Sequence, residues 1–454
     1  MTFQRAFMAM ALCLLLGVAH VGIAAVSPEE AEKLKTTLTP FGAEKAGNKD
    51  GTIPTWEGGY KTVPPGYKSG DLRPDPFADE KPLFSITSKN MDQYSDMLSE
   101  GNKALLKKYP SYRLDVYPTH RTAAAPEYVY QNTFRNATRA KTKNNGITVE
   151  GAYGGIPFPI PKDGAEVMWN HLTAWKGEAY ETEFRAYTFT PAGKRIFVAK
   201  MKLVNQYPYY YADVPMEKFG GDYFNSMMAS LEPPYKAGEA FLNKQNLDYA
   251  GIGQLSWQYL TGQRRVRRAP TGFSYDTPNL VVSGVANWDE LWIFYGAMDR
   301  YSWKIIGKKE MYIPYNENKF YRGQVDQILG EHFPNPDFVR WELHRVWVVE
   351  ANLLSGKRHV VPKRRIYLDE DTWQAVLGEG WDAQGQLWKS YYTFPVIVPE
   401  IPTVIAFTNG SFNLQTGAWY IDSLPVETKE VLKVVRRRPD SFFDPDTMAG
   451  YGVR

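Results

Sequence analysis

Histidine is the side chain used most often in metal sites and in acid–base catalysis, and five histidines follow the first two dozen residues: His120, His171, His332, His344 and His359. No two of them are four residues apart, and no cysteine downstream of Cys13 could complete a zinc site. The segment Asn409-Gly410-Ser411-Phe412 carries only one glycine of the serine motif of hydrolases. We therefore expect no cofactor, no metal centre and no enzyme, although a triad built from distant positions stays open as an alternative.

One segment partly matches a calcium-binding loop. Asn48, Asp50 and Glu57 occupy the third, fifth and twelfth positions of the EF-hand pattern, with a glycine at the sixth. The first ligand position, however, is held by Ala46, and Pro54 interrupts the loop. Because an Asn-Lys-Asp-Gly turn accounts for the same residues without an ion, we take the turn as the interpretation and calcium as the alternative.

The strongest charge cluster is basic and consists of Arg264, Arg265, Arg267 and Arg268. A formal net charge of +3 over 454 residues gives no broad positive field, so we expect no nucleic-acid binding. The simplest interpretation is the solvated end of a hairpin. The alternative is docking onto an acidic partner or lipid headgroups.

Aromatic residues make up 15% of the chain, with 13 Trp, 30 Tyr and 23 Phe, a composition that favours β-sheet. Alternate residues of a strand point to the same face, so these side chains form stripes. A curved sheet with a helix on its concave side can leave apolar volume unfilled, and the stripes then either fill a core or line a cavity. The candidates for an apolar cavity are Trp169, Trp175, Trp257, Tyr259 and Trp347.

Helix signals are few. Ser27 and Asp163 each stand at an N-cap position with a glutamate three residues later, which is the capping-box pattern. The other helices are indicated by apolar residues at helical spacing. The helix predictions cover residues 27–38, 88–109, 163–177 and 215–231.

Most of the remaining sequence alternates with the period of two that is typical of strands. Hairpin signals such as Ser355-Gly356 and Thr416-Gly417 join neighbouring strands. The pattern predicts an antiparallel meander interrupted by a few helices, without a glycine-rich phosphate loop. The predicted strands are 181–190, 195–206, 240–249, 255–261, 304–313, 342–353, 365–368, 374–377, 387–394 and 418–421.

The N-terminus indicates export. Arg5, an apolar run over 6–18 and small residues at Gly22, Ala24 and Ala25 follow the order of a cleavable secretory signal, which we predict to be residues 1–24. The run is too short to span a bilayer, and Cys13 lies inside it, so neither a membrane helix nor a lipid anchor is expected. We divide the mature chain into an N-terminal helix and Gly/Pro-rich arm over 25–87 and a single domain over 88–454.

Five segments of the chain carry a family resemblance: Leu38–Gly59, Gly155–Pro161, Gly262–Pro270, Gly307–Tyr315 and Glu342–Ala351. They resemble the bacterial exported family called domain of unknown function 1329. The resemblance implies an α+β, mainly antiparallel fold similar to the lipoprotein carriers LolA and LolB, a curved and incomplete β-barrel with helices packed in its concave side. It also implies a resistance-nodulation-division transporter and an outer-membrane protein as partners, because family members tend to be encoded beside them.

On this basis we expect a soluble binding protein or carrier in the periplasm of a Gram-negative bacterium. Its cargo would be a lipid, a lipoprotein acyl chain or another apolar molecule. The alternatives are a structural adaptor subunit between a transporter and an outer-membrane protein, and an esterase-like enzyme. A filled concave side would favour the adaptor.

Overall fold

The computed structural model describes residues 25–269, 273–428 and 431–452. The predicted export signal, residues 1–24, lies outside this range. Among the described helices, none combines the length and the apolar character needed to cross a membrane. The helices are α1 Pro28–Ala31, α2 Glu100–Lys108, α3 Glu127–Arg139, α4 Gly164–Leu172, α5 Asn318–Tyr321, α6 Val325–Ile328 and α7 Met448–Gly452.

Strands dominate the described chain, and all but one pair belong to a single 16-stranded sheet, while β3 and β4 form a separate hairpin. The predicted mainly antiparallel fold is confirmed. The strands are β1 Phe84–Ile86, β2 Leu114–Val116, β3 Lys141–Lys143, β4 Thr148–Glu150, β5 Ala179–Phe189, β6 Arg195–Gln206, β7 Asp222–Glu232, β8 Ala240–Asn246, β9 Gln254–Leu260, β10 Arg265–Arg268, β11 Tyr301–Pro314, β12 Trp341–Leu353, β13 Lys363–Asp369, β14 Ala375–Trp381, β15 Leu387–Val398, β16 Thr403–Asn413, β17 Trp419–Leu424 and β18 Lys433–Val434.

Two antiparallel meanders contain 13 of the 16 strands of the sheet; the short strands β1, β2 and β18 complete it, with β2 parallel to β12. Strands β5 to β10 pair in chain order, as do β11 to β17, and the meanders join where β17 pairs with β5, for example Trp419 opposite Phe189. Strand β10 therefore lies at one end of the sheet and β11 at the other. These two strands do not pair with each other within the described residues, so the sheet stays open.

Residues 273–299, which we call the inner loop, connect β10 to β11 and show how strongly the sheet curves. Trp292 of the inner loop packs on Phe224 of β7, with ring centroids 6.2 Å apart. Its neighbour Ile293 lies so close to β14 that a methyl group added to Gly378 would meet it at 2.6 Å. Six strand-to-strand steps separate β14 from β7, roughly 29 Å in a flat sheet. Adjacent residues reach both strands because the sheet curves into an incomplete barrel.

The caps at Ser27 and Asp163 are confirmed. Their side chains accept hydrogen bonds from the backbone N–H groups of Glu30 at 3.1 Å and Glu166 at 2.9 Å. The helix predicted over 88–109 is correct only in its second half, because α2 is capped by Ser99 and a 3-10 turn occupies Met91–Met97. Helix α3 and strand β16 were not predicted.

The helix predicted over 215–231 is wrong, because residues 222–232 form strand β7. Both faces of β7 are covered. Phe224 faces the inner loop, whereas Met227 and Ala229 pack with Phe443 of the C-terminal segment. A strand buried on both sides loses the alternation that identifies it, and its apolar run then resembles a helix.

Candidate functional site

The inner loop occupies the concave side of the sheet as a self-contained unit. Its backbone hydrogen bonds join inner-loop residues to one another, for example Asn279 to Ala286 at 2.8 Å and Tyr295 to Asp289 at 3.1 Å. Its two ends meet, because the Tyr275 hydroxyl donates to Asp299 at 2.6 Å. Among the described residues, no backbone hydrogen bond links positions 274–297 to a strand. Within the described chain, side chains rather than backbone pairing therefore hold the inner loop to the strands; for example, the Trp292 indole N–H donates to the Phe407 carbonyl at 2.9 Å.

Buried ion pairs fasten the inner loop to the second meander. Asp289 accepts from Arg364 at 2.7 Å and lies 2.9 Å from His359. Burial alone would raise the pKa of Asp289, but Arg364 and His359 outweigh it and hold the pKa below its usual value. The adjacent Glu290 accepts from Lys389 at 2.6 and 2.8 Å. These anchors lie side by side at the 3-10 turn Trp288–Glu290.

A histidine holds the far end of the inner loop. His171, at the end of α4, accepts a hydrogen bond from the Ala375 N–H at 3.1 Å through Nδ1, so Nε2 carries the proton and donates to the Phe294 carbonyl at 2.9 Å. Burial, with the positive charge of Lys176, lowers the pKa of His171 to about 3. His171 is therefore a neutral structural link between α4, β14 and the inner loop.

The inner-loop backbone is strained. Tyr275, Ser283, Trp292 and Ile293 have φ values of 52°, 54°, 48° and 74°. This left-handed region suits glycine and is unfavourable for side chains branched at Cβ, such as that of Ile293. Strain of this kind, on the order of 1–3 kcal/mol per residue, concentrates where a segment moves or clamps a ligand.

A small cavity remains between the inner loop and the first meander. Its volume is about 40 Å³, enough for a few water molecules and far too small for an acyl chain. The Oδ1 atom of Asn205, at its wall, is buried and accepts no hydrogen bond within the described chain. Burial raises the pKa of Asp422, another wall residue, to about 7. The apolar wall residues are Phe184, Leu203, Phe224, Met228, Phe241, Phe273, Val281, Trp288, Leu291, Trp292 and Tyr295.

The five aromatic residues predicted for an apolar cavity lie elsewhere. Trp169 and Trp175 are buried in the main core, where their indole N–H groups donate to Gly146 at 2.6 Å and to Pro402 at 3.2 Å. None of the five is among the residues that line the 40 Å³ cavity.

Trp257, Tyr259 and Trp347 are also separate from the cavity. Trp257 and Tyr259 face away from the inner loop and pack with the cluster of Phe443 and Met448. Trp347 stacks on Trp373, with centroids 5.9 Å apart, beneath the ammonium group of Lys308. Of the five candidates, the structure places Trp257 and Tyr259 in one small cluster, whereas Trp169, Trp175 and Trp347 belong to the main core.

The basic cluster and the calcium-like segment are both at the surface. Arg265, Arg267 and Arg268 belong to β10 and Arg264 precedes it; all four are exposed. In the calcium-like segment, the Oδ1 atom of Asn48 accepts from the Ile53 N–H at 2.9 Å, while Asp50 and Glu57 are exposed. The turn interpretation accounts for this geometry.

Sequence reasoning missed the inner loop itself. Trp288, Leu291, Trp292 and Tyr295 stand at relative positions 0, 3, 4 and 7, the spacing of an amphipathic helix face. That spacing was a usable signal for one buried apolar face. The segment nevertheless forms only a 3-10 turn, because its conformation is set by contacts with two distant meanders.

Comparison with known proteins identifies the family. A family model described as "Protein of unknown function (DUF1329)" matches residues 85–449. The chain belongs to the DUF1329 family. A DUF1329 relative, the uncharacterized protein PA3922 of Pseudomonas aeruginosa, is 37% identical over 449 residues, which cover 95% of each chain.

Three solved structures align with part of this DUF1329 protein. A putative outer membrane lipoprotein-sorting protein domain from Vibrio parahaemolyticus has a TM-score of 0.43 at 16% identity, covering 63% of this chain and 98% of its own. A DUF1329 family protein from Desulfovibrio piger has a TM-score of 0.40 at 15% identity, covering 60% and 92%. A LolA superfamily protein from Nitrosomonas europaea has a TM-score of 0.36 at 13% identity, covering 63% and 99%.

Proposed function

We propose that this DUF1329 protein is a non-catalytic carrier that binds a lipid, a lipoprotein acyl chain or another apolar molecule on the concave side of its sheet. The cargo takes the place of the inner loop. The observation that carries the proposal is a strained segment with an apolar face, free of backbone hydrogen bonds to the strands, covering the inside of an open barrel.

The apolar side chains of the inner loop define what a cargo must replace. Each methylene removed from water contributes ~0.8 kcal/mol, so an acyl chain of about fourteen methylenes contributes on the order of 11 kcal/mol. Six inner-loop side chains line the cavity, at roughly 1.5–3 kcal/mol each: Phe273, Val281, Trp288, Leu291, Trp292 and Tyr295. An acyl chain therefore offsets much of this apolar cost, while the buried ion pairs of Asp289 and Glu290 add to the cost of opening.

Four of the five histidines make structural contacts. His171 and His359 are hydrogen-bonded through both ring nitrogens to backbone or charged groups. His120 and His344 contact Glu80 and Glu342 at 2.7 and 3.1 Å. None of these hydrogen bonds of the described residues places a serine or threonine hydroxyl on an imidazole, as an esterase of the triad type requires.

The cellular setting belongs to the same proposal. The predicted signal at residues 1–24 supports export to the periplasm of a Gram-negative bacterium. There a carrier would exchange cargo with an inner-membrane transporter and an outer-membrane protein. The exposed arginines of β10 supply a surface for such partners.

Two tryptophan variants test the proposal. Trp292 covers the concave side and Trp257 lies on the opposite face; both are half-buried. We expect the purified chain to take up a fluorescent fatty acid and to carry lipid in native mass spectrometry. Trp292→Ala should change uptake at least several-fold, whereas Trp257→Ala should not. If the natural chain carries no lipid and takes up no fatty acid, the carrier function is excluded.

The adaptor function remains a second candidate because the concave side is filled in this structure, with about 40 Å³ left. An adaptor needs no opening of the inner loop. It predicts that transporter and outer-membrane proteins copurify with the chain while lipid is absent.

A further inference from the structure

A cluster of buried ligating groups lies outside the concave site, where β12 and β13 meet. His344 belongs to β12, Asp369 ends β13, and Asp371 follows in the turn to β14. Strand pairing places Val346 opposite Asp369, so His344 lies beside the turn. One nitrogen or oxygen atom from each of His344, Asp369 and Asp371 lies within 4.8 Å of the others.

The key separation is between the Nδ1 atom of His344 and the Oδ1 atom of Asp369, which are 3.9 Å apart. That distance is too long for a hydrogen bond. Two ligands of a tetrahedral zinc ion at about 2.0–2.2 Å lie roughly 3.3–3.6 Å apart. The separation is therefore closer to the spacing of two metal ligands than to a hydrogen bond, and an ion bound also by Asp371 would draw the three side chains inward.

An unpartnered oxygen points into the gap. Asp369 is fully buried, and its Oδ1 atom has no hydrogen-bond partner within the described chain. Its other oxygen, Oδ2, accepts from the Thr372 hydroxyl at 2.7 Å and the Tyr315 hydroxyl at 3.2 Å. A buried carboxylate oxygen without a partner is costly, so its retention calls for a partner that these side chains do not supply.

The surrounding groups orient the ligands. The Oε2 atom of Glu342 lies 3.1 Å from the Nε2 atom of His344, an arrangement in which the imidazole donates its Nε2–H to the carboxylate and keeps a lone pair on Nδ1. Asp371 is held by Arg121 through both carboxylate oxygens, at 2.8 and 2.7 Å. An outer carboxylate of this kind orients a metal-ligating imidazole, and hydrogen bonds hold a ligating carboxylate in place.

We propose that His344, Asp369 and Asp371 bind one zinc ion, which joins the end of the β12–β13 hairpin to the N-terminal arm. One imidazole and two carboxylates suit Zn²⁺, whereas Ca²⁺ prefers oxygen ligands alone and Cu(I) prefers thiolates. Arg121 extends the connection to the arm, because it also donates to the backbone carbonyls of Glu44 at 2.8 Å and Lys45 at 3.1 Å. Sequence reasoning missed this site, because its ligands are spaced unlike those of a zinc motif.

The test is zinc retention by the untagged mature chain. Because His344 and Asp369 are buried, the protein is refolded from denaturant with Zn²⁺ present and then dialysed before its metal content is measured. We expect about one zinc per chain for the natural sequence and for the control His332→Gln, whose imidazole stacks on Tyr109 outside the cluster. Asp369→Asn should lose the zinc but stay folded, because the amide still accepts from Thr372 and can donate to His344.

A second readout concerns the arm. The zinc-loaded chain should resist proteolysis within residues 39–60 better than the zinc-free chain, and Asp369→Asn should show no such difference. The alternative is that a proton on the Asp369 carboxylate, rather than zinc, lies between Asp369 and His344. A natural chain that refolds without retaining zinc, or an Asp369→Asn chain that retains as much as the natural one, overturns the proposal.

Discussion

The carboxylate of Glu290 accepts two hydrogen bonds from the ammonium group of Lys389, at 2.6 and 2.8 Å, and both side chains are buried. This pair connects the inner loop to β15. Its strength therefore sets how easily the inner loop can leave the concave side.

Removing one partner should release the inner loop. Glu290→Gln leaves the Lys389 ammonium buried without a counter-charge, and we expect a loss of about 3–5 kcal/mol in the free energy of unfolding. Adding Lys389→Met should recover most of that loss, because an apolar side chain tolerates the buried position. Hydrogen exchange of residues 273–299 and urea unfolding measure both effects.

An ion pair at the surface provides the control for the Glu290 and Lys389 variants. Lys35 and Glu32 also form a salt bridge at 2.7 Å, but both side chains are more than half exposed. Glu32→Gln should change the free energy of unfolding by less than about 1 kcal/mol. Equal effects at Glu290 and Glu32 would show that the inner loop is not held by the buried pair.

Relieving strain should keep the inner loop closed. Ser283 is exposed and has a φ of 54°, so glycine adopts its conformation more readily. We expect Ser283→Gly to slow hydrogen exchange of the inner loop by about fivefold, equivalent to about 1 kcal/mol. Ser283→Ala keeps the strain and serves as the control; the same slowing in both variants would contradict the explanation.

Asp422 should make stability depend on pH. Its pKa is about 7 in the folded protein because it is buried, well above the value near 4 of an unfolded chain. The folded state therefore binds the proton more tightly, and stability falls as pH rises from about 4 to about 7. Asp422→Asn should remove that decline, which is on the order of a few kcal/mol, in urea unfolding at pH 5 and pH 8. Asp50→Asn, at an exposed site, should retain it.

Charge reversal on β10 should weaken docking without changing the free energy of unfolding. Arg265→Glu with Arg267→Glu alters two exposed side chains, so the free energy of unfolding should change by less than about 0.5 kcal/mol per site. If these arginines bind acidic headgroups, cosedimentation with phosphatidylglycerol vesicles should fall. The reversals Lys304→Glu and Lys309→Glu, on exposed positions of β11, should leave it unchanged. If the β10 and β11 variants bind the vesicles equally well, the docking interpretation is wrong.

Much of the fold follows from local patterns. The strand predictions 181–190 and 195–206 coincide closely with β5 and β6, in which burial alternates over 180–186 and 199–203. The prediction 342–353 also coincides with β12, although the first half of that strand is buried on both faces. Alternation fails where both faces are covered, as in β7 and β16. Such strands require knowledge of the elements that pack on them.

The sequence alone predicted little of the candidate sites. The inner loop owes its conformation to β7, β14 and β15, which are far apart along the chain. His344 and Asp369 come together only through the pairing of β12 with β13. Composition indicated many aromatic residues but not which ones face the interior of the barrel.

The internal hydrogen bonding of the inner loop has an evolutionary consequence. Its ends meet at Tyr275 and Asp299, so one contiguous stretch of sequence covers the concave side of the sheet. Substitutions, insertions or a wholesale exchange of that stretch leave the register of every strand intact. Relatives with the same sheet could thus bind different molecules after changes in the inner loop alone.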